Sequence, residues 1–258
     1  MHIVALPAFR DNYIWMIHDT HRALVVDPGD AGPVETACKA QGLELAGILV
    51  THHHADHTGG IADLLRARQV PVWGPAAEPI PCMTHPLHDG DRIAPSGFDL
   101  AFDILQVPGH TLGHIAYFAD GGPGERLLFC GDTLFSAGCG RLFEGTPSQM
   151  LHSLDRLGSL PGDSRVFCTH EYTLSNLQFA RHVEPGNAAM QDYAQWCLRQ
   201  RAANQPTLPS TLEREWHVNP FLRVSEPEVQ AQLTTHAGHE PADRIEAFTL
   251  MRQWKNDF

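Results

Sequence analysis

The sequence lacks any Cys-x-x-Cys pair, has no long apolar run, and is short of positive charge. Its six cysteines (Cys38, Cys82, Cys130, Cys139, Cys168 and Cys197) stand singly. Scattered single cysteines argue for reduced thiols and a cytoplasmic setting, against a disulfide framework. No stretch approaches the ~18 consecutive apolar residues of a membrane span. The opening His2-Ile-Val-Ala-Leu-Pro7 is too short and too soon broken by proline to read as a signal peptide. No membrane association is therefore expected. Lysine plus arginine number 18 against 30 aspartates and glutamates, a formal net charge of −12. A surface of that sign repels phosphate backbones, so nucleic acid is not an expected partner. A small anionic ligand would need a local basic pocket. Low-complexity linkers and short-period repeats are also absent, and nothing demands more than a monomer.

What is present fits an α/β (α+β) chain. At 258 residues it can hold a core domain with a smaller partner. Apolar, β-branched segments at 12–19 and 23–27 predict strands, and 32–41 predicts a helix ended by Gly42. The continuous apolar run 45–50 predicts a strand buried on both faces. A helix is predicted over 59–68 and a strand over 70–73. Further strands are predicted at 100–107, 115–119, 126–130 and 165–168, with a helix at 149–157. From about Tyr172 onward the pattern is helical, at 173–183, 187–205, 227–236 and 243–256. The expected organisation is a strand-rich domain over 1–172 and a helical one over 173–258.

Histidine is abundant, with 17 in the chain, and several follow apolar runs directly. In Thr51-His-His-His-Ala-Asp-His57, four metal-capable groups fall within six residues, just after the buried strand 45–50. Imidazole and carboxylate suit divalent zinc, iron or manganese. A tight loop can turn His52 and His54 to one metal, and Asp56 and His57 to a second. His110, Asp132 and His170 each follow a predicted strand. His110 would complete the first site and His170 the second, with Asp132 bridging the two. Such a pair lowers the pKa of a shared water towards ~7. An affinity-tag-like cluster would be terminal and lack the embedded aspartate. A closed structural zinc site would be cysteine-rich.

His53, between two candidate ligands, is expected to point away from them. His114 reads as a packing or hydrogen-bonding neighbour of the site. His85, His88, His152, His182, His217, His236 and His239 have no ligand-like spacing. Asp27 before Pro28-Gly29 either supports the metal loop from behind or simply forms a turn.

These motifs, with P-G-H-T-x-G-H at 108–114, G-D-T at 131–133 and T-H-E-Y at 169–172, resemble the metallo-β-lactamase superfamily. Gly138-Cys-Gly-Arg-Leu-Phe-Glu-Gly145, Glu184-Pro-Gly-Asn187, Asn219-Pro-Phe-Leu-Arg223 and Arg252-x-x-Lys255 narrow the resemblance to the glyoxalase II (hydroxyacylglutathione hydrolase) family. The resemblance implies an αββα sandwich with a C-terminal helical domain that completes the substrate pocket. It implies metal ligands at His52, His54, Asp56, His57, His110, Asp132 and His170. It also implies glutathione contacts from Arg141, Phe143, Tyr172, Arg252 and Lys255. Arg141 stands where some members have lysine, and Phe143 where some have tyrosine, so one hydroxyl contact would be lost. The null case for Arg252 and Lys255 is an ordinary solvated helix face.

The implied reaction hydrolyses S-D-lactoylglutathione to D-lactate and glutathione, the second step of methylglyoxal detoxification. A metal-bridging hydroxide would attack the thioester carbonyl, with the His52/His54/His110 metal polarising it and Asp56 as possible proton acceptor. Two divalent ions are expected per chain, zinc first, with iron or manganese fitting the same donors. Among relatives, a β-lactamase would carry a cysteine ligand, a flavodiiron protein would have glutamate at position 54, and a persulfide dioxygenase would use one iron. A nucleic-acid phosphodiesterase would show a basic arm. A non-catalytic metal-binding module would have no need of the distal pocket motifs.

Overall fold

In the computed structural model, residues 1–122 and 124–258 are described. They form two compact units, each built from several chain segments. The first comprises Met1–Gln106, Gly113–Gly131 and Phe167–His170, and the second Val107–Leu112, Asp132–Val166 and Glu171–Phe258. The units therefore interleave along the sequence.

In the first unit, β1 (His2–Ala8), β2 (Asn12–His18) and β3 (Arg22–Val26) run antiparallel. Helix α1 (Ala31–Gln41) leads to β4 (Glu44–Leu49), which lies parallel to β3. Asp30 caps α1 by accepting from Gly32 N at 2.8 Å, and Gly42 ends it at φ +67°. β1 was not anticipated, because its Pro7 breaks the apolar run. At the sheet edge that proline costs no interior ladder bond.

Two single turns follow β4, α2 (Ala55–Thr58) and α3 (Ile61–Leu64), in place of the helix expected over 59–68. The break falls at Gly60, whose N–H bonds the Pro28 carbonyl at 3.0 Å. A Cβ there would lie 2.5 Å from Ala31 N and 2.7 Å from the Pro28 carbonyl, so the chain passes too close for a side chain. β5 (Val72–Pro75) and β6 (His85–Leu87) complete a six-stranded sheet, β1-β2-β3-β4-β5-β6. β2 is buried along its whole length. Ile14, Met16, Val25, Ile48, Val50 and Ile61 share one core. Each such side chain contributes roughly 1.5–3 kcal/mol on leaving water.

A second sheet begins with β7 (Arg92–Ile93), β8 (Phe102–Gln106), β9 (Ile115–Asp120) and β10 (Arg126–Gly131), all antiparallel. Phe102, Tyr117 and Phe129 are fully buried beneath it.

The second unit opens with the short hairpin β11 (Leu134–Phe135) and β12 (Gly138–Cys139). Helix α4 (Pro147–Gly158) starts at a capping box in which Thr146 and Gln149 bond reciprocally. β13 (Arg165–Cys168) extends the second sheet beside β10. Helices α5 (Thr173–Val183) and α6 (Ala188–Ala202) follow, then β14 (Ser210–Thr211), which pairs with the first residues of β13. The chain ends with α7 (Leu212–Val218), α8 (Pro227–Ala237) and α9 (Arg244–Asp257). α7 was not anticipated, being too short to establish a period.

Leu177, Ala180, Met190, Tyr193, Ala194, Cys197 and Val218 form a core with Ala137. Arg244 of α9 grips Asp155 of α4 through two bonds of 2.8 and 3.1 Å. Such ties join the 132–166 segment to the helices of the second unit. No helix among the described residues is long and apolar enough to cross a membrane.

Candidate metal centre

β4 delivers the chain into the histidine loop, and one buried carboxylate organises that loop. Asp27, only 2% exposed, accepts from Thr51 N and Thr51 Oγ1, each at 2.7 Å, and from His57 Nδ1 at 3.0 Å. It therefore backs the loop as well as turning the chain. The following Gly29 is obligatory, since a Cβ there would sit 1.9 Å from the Asp56 carbonyl.

The hydroxyl of Thr51 is spent on Asp27, so it accepts from His52 Nδ1 at 3.1 Å. His52 is then left with a lone pair at Nε2, which faces His54 Nδ1 at 3.1 Å. His57 and His170 follow the same logic. Their Nδ1 atoms donate to Asp27 and to Asp11 Oδ1 at 3.0 and 2.8 Å. Their Nε2 atoms lie 3.6 and 3.5 Å from Asp56 Oδ2. Donor atoms of Asp56, His57 and His170 all fall within 4.8 Å of one another. Carboxylates that bind the far nitrogen of an imidazole fix its tautomer and aim the near one, as at metal sites. Two imidazole lone pairs beside a carboxylate oxygen fit a divalent cation of the zinc, iron or manganese kind.

Asn12 Nδ2 donates to Asp56 Oδ2 at 3.0 Å and orients that carboxylate. His53 turns away from the cluster, bonding Glu78 Oε2 at 3.0 Å. His114 is fully buried with its ring stacked on that of His52, at 4.7 Å and 19°.

In the second unit, His110 Nε2 lies 3.4 Å from Asp132 Oδ2, and His110 Nδ1 donates to the Arg141 carbonyl at 2.9 Å. The second unit also holds a cavity of about 440 Å³, lined by His110 and Asp132 together with Arg141, Phe143, Tyr172, Arg252 and Lys255. All five residues expected to touch substrate thus meet around one space. Phe143, 64% exposed, sets its ring edge-on to His110 at 5.2 Å. Tyr172 packs against Phe135.

The wall is cationic in an acidic protein. Lys255 is one of only two lysines in the chain, the other being Lys39. Burial, then the neighbouring Arg252 and Arg141 charges, hold its pKa below the ordinary lysine range. Arg252 is no solvated helix-face residue. It is 5% exposed, donates from Nη1 to the Cys139 carbonyl at 2.9 Å, and stacks over Phe221. Its buried Nε has no hydrogen-bond partner among the described residues. Three positive groups this close repel one another, so the arrangement favours an anionic ligand.

Asp11, Asn12 and Glu78 escaped the sequence reading. Each acts through a partner 25 to 159 positions away, and no local spacing marks such pairs.

Residues 8–170 match the model of the metallo-beta-lactamase superfamily, and 171–258 that of the hydroxyacylglutathione hydrolase C-terminus. Hydroxyacylglutathione hydrolases from Cupriavidus taiwanensis and Albidiferax ferrireducens are 54% and 53% identical to this chain. The alignments cover 98% and 100% of it, and 97% and 100% of those proteins. Among solved structures, ETHE1 from Myxococcus xanthus covers 99% of the chain and 100% of its own, with TM-score 0.65 at 24% identity, a likeness of fold alone. TTHA1623 in a di-iron-bound form covers 86% of this chain and 100% of its own, with TM-score 0.60 and 26% identity. The fold is the αββα fold of the metallo-beta-lactamase superfamily with a helical C-terminal region. Within that superfamily the chain belongs to the hydroxyacylglutathione hydrolases.

Proposed function

We propose that this chain hydrolyses S-D-lactoylglutathione and related 2-hydroxyacyl-glutathione thioesters, releasing the hydroxy acid and glutathione. The observation that carries the reading is the cavity where Arg141, Arg252 and Lys255 gather beside His110 and Asp132. Glutathione thioesters are anionic, and only such a local cluster can attract them to a chain of net charge −12.

The residues proposed to hold two divalent ions are His52, His54, Asp56, His57, His110, Asp132 and His170. Zinc is the first choice, and iron or manganese suits the same donors. When bound, these ions lower the pKa of a shared water towards ~7 and polarise the thioester carbonyl. The protein's own groups do the rest. Asp56, held by Asn12, orients the attacking water and takes its proton at a carboxylate oxygen. Lys255 and Arg252 bind the glycine carboxylate of glutathione, and Arg141 adds charge to the same wall. Tyr172 donates to the peptide backbone, and Phe143 adds a contact to the bound glutathione. The leaving thiolate, from a thiol of pKa ~8.5, needs little help from an acid.

In this reading residues 1–172 supply the metal ligands, and 173–258 the helical part of the substrate site. A cytoplasmic monomer fits the six scattered cysteines, none in a Cys-x-x-Cys pair, and the acidic composition. Metal-loaded protein should consume S-D-lactoylglutathione, followed as loss of thioester absorbance. Cleavage of a phosphodiester or a β-lactam, with the thioester left intact, would overturn the assignment.

A further inference from the structure

The β11–β12 hairpin contributes Phe135 and Cys139 to the cavity wall, and Arg141 follows directly after it. Two functional side chains hang from this segment by its backbone. Arg252 donates to the Cys139 carbonyl, and His110 to the Arg141 carbonyl. The hairpin's connection is two residues long, and its Ala137 adopts φ +55°, a conformation that costs a β-carbon residue energy unless something holds it.

That holder is Glu215, a fully buried carboxylate on α7. Its Oε2 accepts from Ala137 N at 2.7 Å, and its Oε1 from Ser136 Oγ at 2.9 Å and from Ser210 Oγ. Asn219, one turn later, donates to Glu215 Oε2 at 3.1 Å. The same amide reaches the Phe135 and Gly138 carbonyls at 3.0 and 2.9 Å, on either side of the turn. Glu215 and Asn219 thus grip the hairpin's amide, hydroxyl and carbonyls together. A carboxylate buried at this cost, with one bond from each oxygen spent on the turn, specifies a position more than it adds stability.

We infer that Glu215, acting with Asn219, is a positioning residue that sets the affinity for glutathione by fixing the segment from which Arg252 and Arg141 are presented. The inference deepens the proposed function and rests on it. It predicts a larger effect on binding than on the chemistry, because both cavity arginines are tied to this segment, Arg252 through its bond to the Cys139 carbonyl and Arg141 by its place two residues further on.

The test compares Glu215→Gln with the milder Ser136→Ala, both confirmed as folded by circular dichroism. Binding of S-methylglutathione, which cannot be hydrolysed, is measured by calorimetry beside kcat and KM for S-D-lactoylglutathione. Glu215→Gln places an amide N–H against donors, so dissociation constant and KM should rise together by about 10-fold, with kcat changed less than about 3-fold. Ser136→Ala should move both in the same direction by less. If Glu215→Gln fails to fold, Ser136→Ala decides alone. Unchanged binding with a fall in kcat, or no change in either, would overturn the inference. A wild type that neither binds nor hydrolyses glutathione derivatives would sink the functional reading itself; an active wild type with unaltered variants sinks only this inference.

Discussion

Asp27 shows what one side chain contributes to the metal centre. Its two oxygens hold the Thr51 backbone, the Thr51 hydroxyl and the His57 ring, so one carboxylate sets both the loop's path and a ligand's tautomer. Replacing it by alanine leaves His57 free to rotate or to protonate the wrong nitrogen. Loss of such a partner costs roughly 10–100-fold in metal affinity. Asp27→Ala should therefore release metal during dialysis against a weak chelator under conditions where the wild type retains it. Equal retention would mean that Asp27 only turns the chain. At this scale the sequence was readable where chemistry is local. Thr51 to His57 announced a metal loop because four donors crowd six positions. The residues that aim those donors lie far away in sequence, as Asp11 does from His170, and nothing beside them marks the partnership.

Among the elements, α9 carries the sharpest functional consequence. Lys255 lies on its last turn, its ammonium over the Phe179 and Phe258 rings, with Arg252 one turn earlier. Burial and the Arg252 and Arg141 charges pull its pKa down, while the Cys139 thiol opposes them weakly. A depressed pKa means that the ammonium loses its proton at a lower pH than an ordinary lysine, and with it the attraction for a carboxylate. KM for the glutathione thioester should therefore climb on the alkaline side at a pH below the usual lysine range. In Lys255→Arg that climb should vanish, since the guanidinium stays charged. A KM profile identical in both proteins would remove Lys255 from the substrate site.

Long periodic elements such as α5, α6 and α9 were legible in the sequence to within a few residues. The failures were short or interrupted ones: β1 with its Pro7, α7 with seven residues, and the turns α2 and α3 split at Gly60. In each of these, tertiary contacts decide the conformation where periodicity is too brief to do so.

Across the whole molecule, an acidic chain places three of its 18 positive groups at one cavity and its metal-capable groups at strand ends. The strand-rich body and the helical C-terminal region followed from apolar patterning and the two-sheet sandwich from the resemblance, but the interleaving of the compact units did not. That interleaving depends on pairs such as Arg244 with Asp155, 89 positions apart, which composition cannot reveal. In the proposed function these residues hydrolyse the thioester only with divalent ions bound. The direct measurement is titration of zinc into metal-depleted protein while S-D-lactoylglutathione hydrolysis and bound metal are followed together. No turnover is expected without metal, and activity should rise with added zinc and saturate by two equivalents per chain. Full hydrolysis by the metal-free protein, or activity indifferent to added zinc, would contradict it.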